Sequence, residues 1–157
     1  MSRVIVESIK HAVIEAQSLL SKLIQICPEN LFDQKIGYWP LWQHLASYIS
    51  SVDAVTSGPA IDIPAPLTEQ VVKLQVKTPD APPKTAILGY FQAIQAKTAT
   101  FIDSLKDEDL KKSNDLIQPA DPSWTNTRTL FFIANRAHYH LGRGDAILIR
   151  NGLEGVL

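Results

Sequence analysis

Four long stretches of this chain carry apolar residues at a spacing of three and four, and prolines stand between them. That pattern constrains the fold more than any other feature, because such a stripe is stable only when its face is covered. The first stretch runs from Val4 to Ile26 and stops at Cys27-Pro28, with Ile5, Ile9, Ala12, Val13, Ala16, Leu20, Leu23 and Ile24 as its stripe. The second runs from Pro40, a residue suited to a first helical turn, to Thr56, ahead of Gly58-Pro59. Leu41, Leu45, Tyr48, Val52 and Val55 line its inner face. The third spans Pro83 to Leu105 through Ile87, Phe91, Ile94, Thr98 and Phe101. The fourth spans Asn126 to Arg150 through Leu130, Ile133, Ala134, Ala137, Leu141 and Leu148, with Gly152 as its stop. Four amphipathic helices of this length predict an all-α fold, a four-helix bundle built as one domain over 1–157.

The connections add topology. Six of the ten prolines (Pro59, Pro64, Pro66, Pro79, Pro82, Pro83) fall between 58 and 83, and Pro119 and Pro122 mark a second break. At up to ~3.3 Å per residue, the 57–82 connection is long enough to cross helices of ~30 Å from end to end, so the second and third helices can run parallel. The 27–39 connection is shorter. Period-2 alternation survives only in Val72-Lys73-Leu74-Gln75-Val76, which reads as a short strand or a short helix. Asp107-Glu108-Asp109, followed by Lys111-Lys112, reads as a solvated turn.

Fifteen basic and sixteen acidic side chains give a formal charge of −1, which argues against nucleic acid or an anionic membrane as the partner. With one cysteine, Cys27, no intrachain disulfide and no Cys-rich zinc framework can form. The first residues meet Glu7 before any long apolar core, unlike a secretory leader, and no uncharged apolar run approaches the ~18 residues of a membrane helix. The expected location is the cytoplasm.

Chemistry rests on four histidines. At about 100° per residue, His11 points away from its stripe. His44 falls on the flank of the second helix's apolar face, beside Ser47, Tyr48 and Ser51, with no acidic residue placed to orient it as in a Ser-His-Asp set. His138 and His140 are about 200° apart on the fourth helix, so only one of them can share a site with His44. His140 shares a face with Arg136 and Arg143, and His138 does not. Two readings stand: boundary histidines hydrogen-bonded inside a bundle, or two imidazoles converging on one site from two helices.

The run Tyr38-Trp39-Pro40-Leu41-Trp42-Gln43-His44-Leu45-Ala46 resembles the DinB/YfiT-like superfamily. So do Asp107-Glu108-Asp109-Leu110, Thr127-Arg128-Thr129-Leu130, His140-Leu141-Gly142-Arg143 and Leu148-Ile149-Arg150-Asn151-Gly152. The resemblance covers essentially the whole chain and implies an up-down-down-up bundle. It also implies a divalent metal, zinc or nickel, held by one histidine from the second helix and two from a His-x3-His-x-Gly-Gln run on the fourth. His44 and His140 match two of those positions, Arg136 stands at the third, and Arg143 stands where the motif has Gln.

A guanidinium has no lone pair to offer a metal, and +1 beside +2 at ~6 Å with effective ε ~20 is a repulsion of roughly 5 kcal/mol. No carboxylate replaces it: Glu7, Glu15, Asp53 and Asp103 are phased away from the core, and Asp145 lies across its helix from His140. Cys27 reads as a small buried apolar residue. The expectation is a metal-poor small-molecule pocket. His44 and His140 are its acid/base candidates, Arg136 and Arg143 its anion donors, and Arg136 is expected to be partly desolvated between the second and fourth helices. Trp39, Trp42, Tyr48, Tyr90 and Tyr139 are candidate walls. The alternatives are a divalent-metal-dependent thiol transferase or isomerase, and a non-catalytic homodimeric bundle with a vestigial site, its subunit contact aided by Leu153, Val156 and Leu157.

Overall fold

The computed structural model describes residues 2–58, 62–77, 81–117, 121 and 123–157. Pro59, Pro79, Pro119 and Pro122, four of the punctuating prolines, lie outside the described residues. The long helices are α1 (Val4–Ile26), α3 (Leu41–Ser57), α5 (Lys84–Ser104) and α6 (Asn126–Arg150), each within a residue or so of its expected bounds. Two single-turn helices, α2 (Glu29–Phe32) and α4 (Glu69–Val72), lie in the connections, and Asp107–Asp109 form a 3₁₀ turn. Among the described residues the fold is all-α apart from one isolated bridge, Ser113 with Thr125, and one antiparallel hairpin, β1 (Lys35–Ile36) paired with β2 (Trp39–Pro40), Ile36 opposite Trp39. No helix among the described residues is long and apolar enough to cross a membrane.

The apolar stripes meet. α1 packs against α5 and α6, α3 packs against the same two helices, and their buried apolar residues form one cluster. Val13, Leu20 and Leu23 of α1, Leu45 and Ile49 of α3, Phe91 and Ile94 of α5, and Leu130, Ile133 and Leu141 of α6 are all buried there. Each such side chain contributes about 1.5–3 kcal/mol by leaving water. The α1 stripe is shifted from its expected phase: Val6 and Gln17 are buried, whereas Ile5 and Ala12 are exposed. Ile5 and Ala12 stand on the margin of the stripe, where the described residues leave both exposed.

Two helix ends are closed by each other. α1 has no side-chain cap of its own, and Asp107 Oδ1 accepts from the Ile5 and Val6 amides at 3.1 and 3.0 Å. In return, Arg3 Nη1 donates to the Asp103 and Leu105 carbonyls at the end of α5, at 2.7 and 2.6 Å. A carboxylate at an N-terminus and a cation at a C-terminus both oppose the exposed backbone dipoles. The acidic turn expected to be merely solvated is therefore a cap.

The 27–39 connection is more ordered than its sequence suggests. Gly37, with φ +69°, makes the left-handed turn of the hairpin, and two-residue strands are too short to show a period. In the later connection, Val72 ends α4 and residues 73–76 turn away instead of forming a strand. Gln43 Nε2 donates to the Val71 and Val76 carbonyls at 3.0 and 2.8 Å, which ties this loop to α3.

At Gly144 the backbone of α6 comes so close to α1 that an added Cβ would lie 2.3 Å from Leu23 Cδ2. Overpacking there outweighs the gain in helix propensity. Gly144→Ala is expected to lower stability in urea unfolding by about 1–2 kcal/mol; a variant as stable as the wild type would show that Leu23 yields freely.

Candidate functional site

α3 starts directly after the hairpin, so its first turns face Ile36, and His44 and Tyr48 lie one turn apart on that helix. α6 brings His140 to the same place. The His44 and His140 ring centroids are 6.1 Å apart, and Tyr48 and Tyr139 lie 5.5 and 5.1 Å from His140. Both imidazoles are buried, His44 with 8% and His140 with 3% of its surface exposed. The other two histidines do not join them: His11 and His138 are exposed, and His138 Nδ1 bonds the Ala134 carbonyl at 2.9 Å.

The two rings differ in what they have left to offer. His44 Nε2 lies 3.1 Å from the Ile36 carbonyl oxygen, which can only accept, so Nε2 carries the proton and Nδ1 the lone pair. His140 has no partner on either ring nitrogen among the described residues. A neutral imidazole brings one donor and one acceptor, and leaving each buried and unpaired costs about 1–3 kcal/mol. That deficit is the sharpest anomaly in the core.

Electrostatics hold both rings neutral. Burial first, then the Arg136 charge, the neighbouring His44 ring and the Arg143 charge, push the His140 pKa down to about 3. His44 is lowered too, first by burial and then by Arg143 and Arg136, against the raising effect of its Ile36 hydrogen bond. Burial pushes the Tyr48 hydroxyl far above its ordinary value. That hydroxyl donates to the Ile133 carbonyl at 3.3 Å.

The arginines flank the pair unequally. Arg143 is half-buried, donating Nη1 to the Tyr139 hydroxyl at 2.6 Å and Nη2 to the Ile36 carbonyl at 3.5 Å. Arg136 is exposed, its guanidinium 5.9 Å from the Phe132 and Tyr139 rings. It is thus not desolvated between helices, since a side chain this long carries its head out to water along the aromatic surface.

The aromatic candidates disperse. Tyr48 and Tyr139 contact His140, while Trp39 packs edge-on to Tyr38, 5.0 Å away. Trp42 is buried with its Nε1 on Asp33 and lines a different, apolar cavity of about 330 Å³ with Pro66, Leu67 and Val71. Tyr90 donates to Asp53 at 3.4 Å.

Asp53 corrects the sequence phase. Expected to face away from the core, it is fully buried and paired with Lys97 Nζ at 2.9 Å. α3 packs on α4, α5 and α6, so residues almost all round it are covered and a one-stripe reading underestimates its inner face. Asp145 is also buried and accepts from the Val156 amide. Cys27 is buried, and burial raises its thiol pKa.

None of these groups completes a metal site. Among the described residues, no three His, Cys, Asp or Glu side chains come together. His44 keeps its Nδ1 lone pair, but among the described residues only His140 stands beside it as a second ligand, and the third position of the resembled motif carries an exposed guanidinium. The residues present do not fit a divalent metal. Comparison with protein-family models, with curated proteins and with solved structures finds no match.

A pH dependence follows from His140. Its folded pKa lies below the unfolded value near 6.5, so the unfolded chain takes up the proton first as pH falls. The stability held by the neutral ring is complete above about pH 6.5 and is lost progressively toward about pH 3. Between pH 7 and pH 5 the wild type is expected to lose about 2 kcal/mol from this ring. Urea unfolding of His140→Phe at both pH values should show that loss removed; an unchanged pH slope would mean that His140 protonates in the folded state.

Proposed function

We propose that the chain is a DinB/YfiT-like four-helix bundle of up-down-down-up order whose ligand is a small anionic molecule held at His44 and His140, in place of a metal. One observation carries this reading: a neutral imidazole with both nitrogens buried and unpartnered, next to a second imidazole. The packing of α1 and α3 on the same two helices, and the long 57–82 connection, support the bundle order.

His140 supplies one N–H and one lone pair, and Arg136 and Arg143 supply a positive potential that both imidazoles register. That combination suits a ligand bearing a carboxylate or phosphate with a hydroxyl beside it. A conjugate acid with a pKa of about 3 makes His140 a poor base at neutral pH, so its part is recognition. His44, the less deeply buried ring, is left as the acid/base candidate.

The metal-dependent transferase or isomerase remains the competing activity, and zinc separates the two. Arg136→His supplies a third imidazole and removes a cation in one step. In calorimetric titrations with zinc, the variant is expected to bind at least tenfold tighter than the wild type. Stoichiometric submicromolar binding by the wild type, with no gain in the variant, would sink the metal-free reading.

A non-catalytic homodimer is the second reading. Phe131, Tyr139 and Ile149 leave 54, 49 and 60% of their surfaces exposed along α6. Light scattering behind a sizing column is expected to give twice the 17.4 kDa chain mass, and a monomeric mass at high micromolar concentration would discard it.

A further inference from the structure

Beside the imidazole pair, the hairpin and the C-terminal half of α6 flank an open cleft of about 520 Å³. That size suits a small molecule. Lys35 enters it from β1, and Arg143 and Arg150 enter it from α6. No aspartate or glutamate lines it, and among the described residues no carboxylate forms an ion pair with any of these three cations. On a chain of net charge −1, that is a concentrated and uncompensated patch.

The cleft is also shaped. Arg143 is held in place by the Tyr139 hydroxyl and the Ile36 carbonyl, so two of its five N–H donors are spent and the others stay available. The Tyr139 oxygen accepts from Arg143 and keeps its own proton to donate. Gly142 lines the same wall, and nothing lies within 4 Å of where its Cβ would stand. A side chain there would occupy the cleft, and its absence leaves room for a guest.

We propose that this cleft binds a small, multiply charged oxyanion, with Lys35, Arg143 and Arg150 as its cationic donors and Tyr139 as a hydroxyl donor. The held Arg143 fork, a second guanidinium from Arg150 and the Lys35 ammonium match the oxygens of a phosphate or a polycarboxylate. The inference does not rest on the imidazole reading, because Lys35 and Arg150 take no part in the His44–His140 pair.

The test uses the full chain and two probes, pyrophosphate and citrate, titrated by calorimetry at low salt. Saturable binding of either at one site is expected, and the preferred probe tells a phosphate ligand from a carboxylate one. The double variant Lys35→Gln/Arg150→Gln is expected to weaken that binding at least tenfold. Gly142→Leu, which places a good helix former in the cleft without changing charge, is expected to weaken it similarly while circular dichroism and the melting temperature hold. Failure of the wild type to bind either probe at millimolar concentration would overturn the proposal. So would undiminished binding in both variants; if His140→Phe then abolishes it, the anion sits on the imidazole pair and the earlier reading stands alone.

Discussion

The approach of α6 to α1 at Gly144 sets the terms for everything around it. With only a hydrogen at that position, the α6 backbone lies against Leu23, and the helix is drawn into the core along the turn that carries His140. His140 is then enclosed beside Tyr48 and His44 of α3. Enclosure removes water from the ring, and two guanidiniums nearby disfavour a third cation, so the imidazole stays neutral with its donor and acceptor unspent.

The Ile36 carbonyl is the second organising atom. It accepts from His44 Nε2 and, at longer range, from Arg143 Nη2. One backbone oxygen on a two-residue strand thus assigns the His44 tautomer and helps orient the arginine that walls the neighbouring cleft. The resulting field favours anions. A divalent cation would meet two imidazoles, no third ligand among the described residues, and a positive potential from Arg136 and Arg143.

Much of the architecture was legible from residues because its causes are local. The α1, α3, α5 and α6 bounds follow from apolar spacing, from Cys27-Pro28 and Pro40, and from Gly58 and Gly152 at the ends. The exclusion of His138 follows from phase on its helix, while the convergence of His44 and His140 was expected from phase together with the DinB/YfiT-like resemblance. Where the local rule failed, the cover differed from the single face that one stripe implies. Asp53 is buried because α3 packs on three sides, and Ile5 stands exposed on the margin of its stripe.

Period and punctuation in the chain therefore dictated which segments are helical and which histidines could meet, since both depend on residues within a few turns of one another. Assembly alone decided the rest. The Ile36 carbonyl is a backbone atom with no sequence signature, and it reaches His44 only because a hairpin folds back onto α3. Asp107 caps α1 across about a hundred residues, and Arg136 escapes to the surface along Phe132 and Tyr139. The cleft gathers Lys35 with Arg143 and Arg150, which lie far apart in the chain. Such contacts depend on which surfaces come to face each other, and that is settled by the packing of all the helices together.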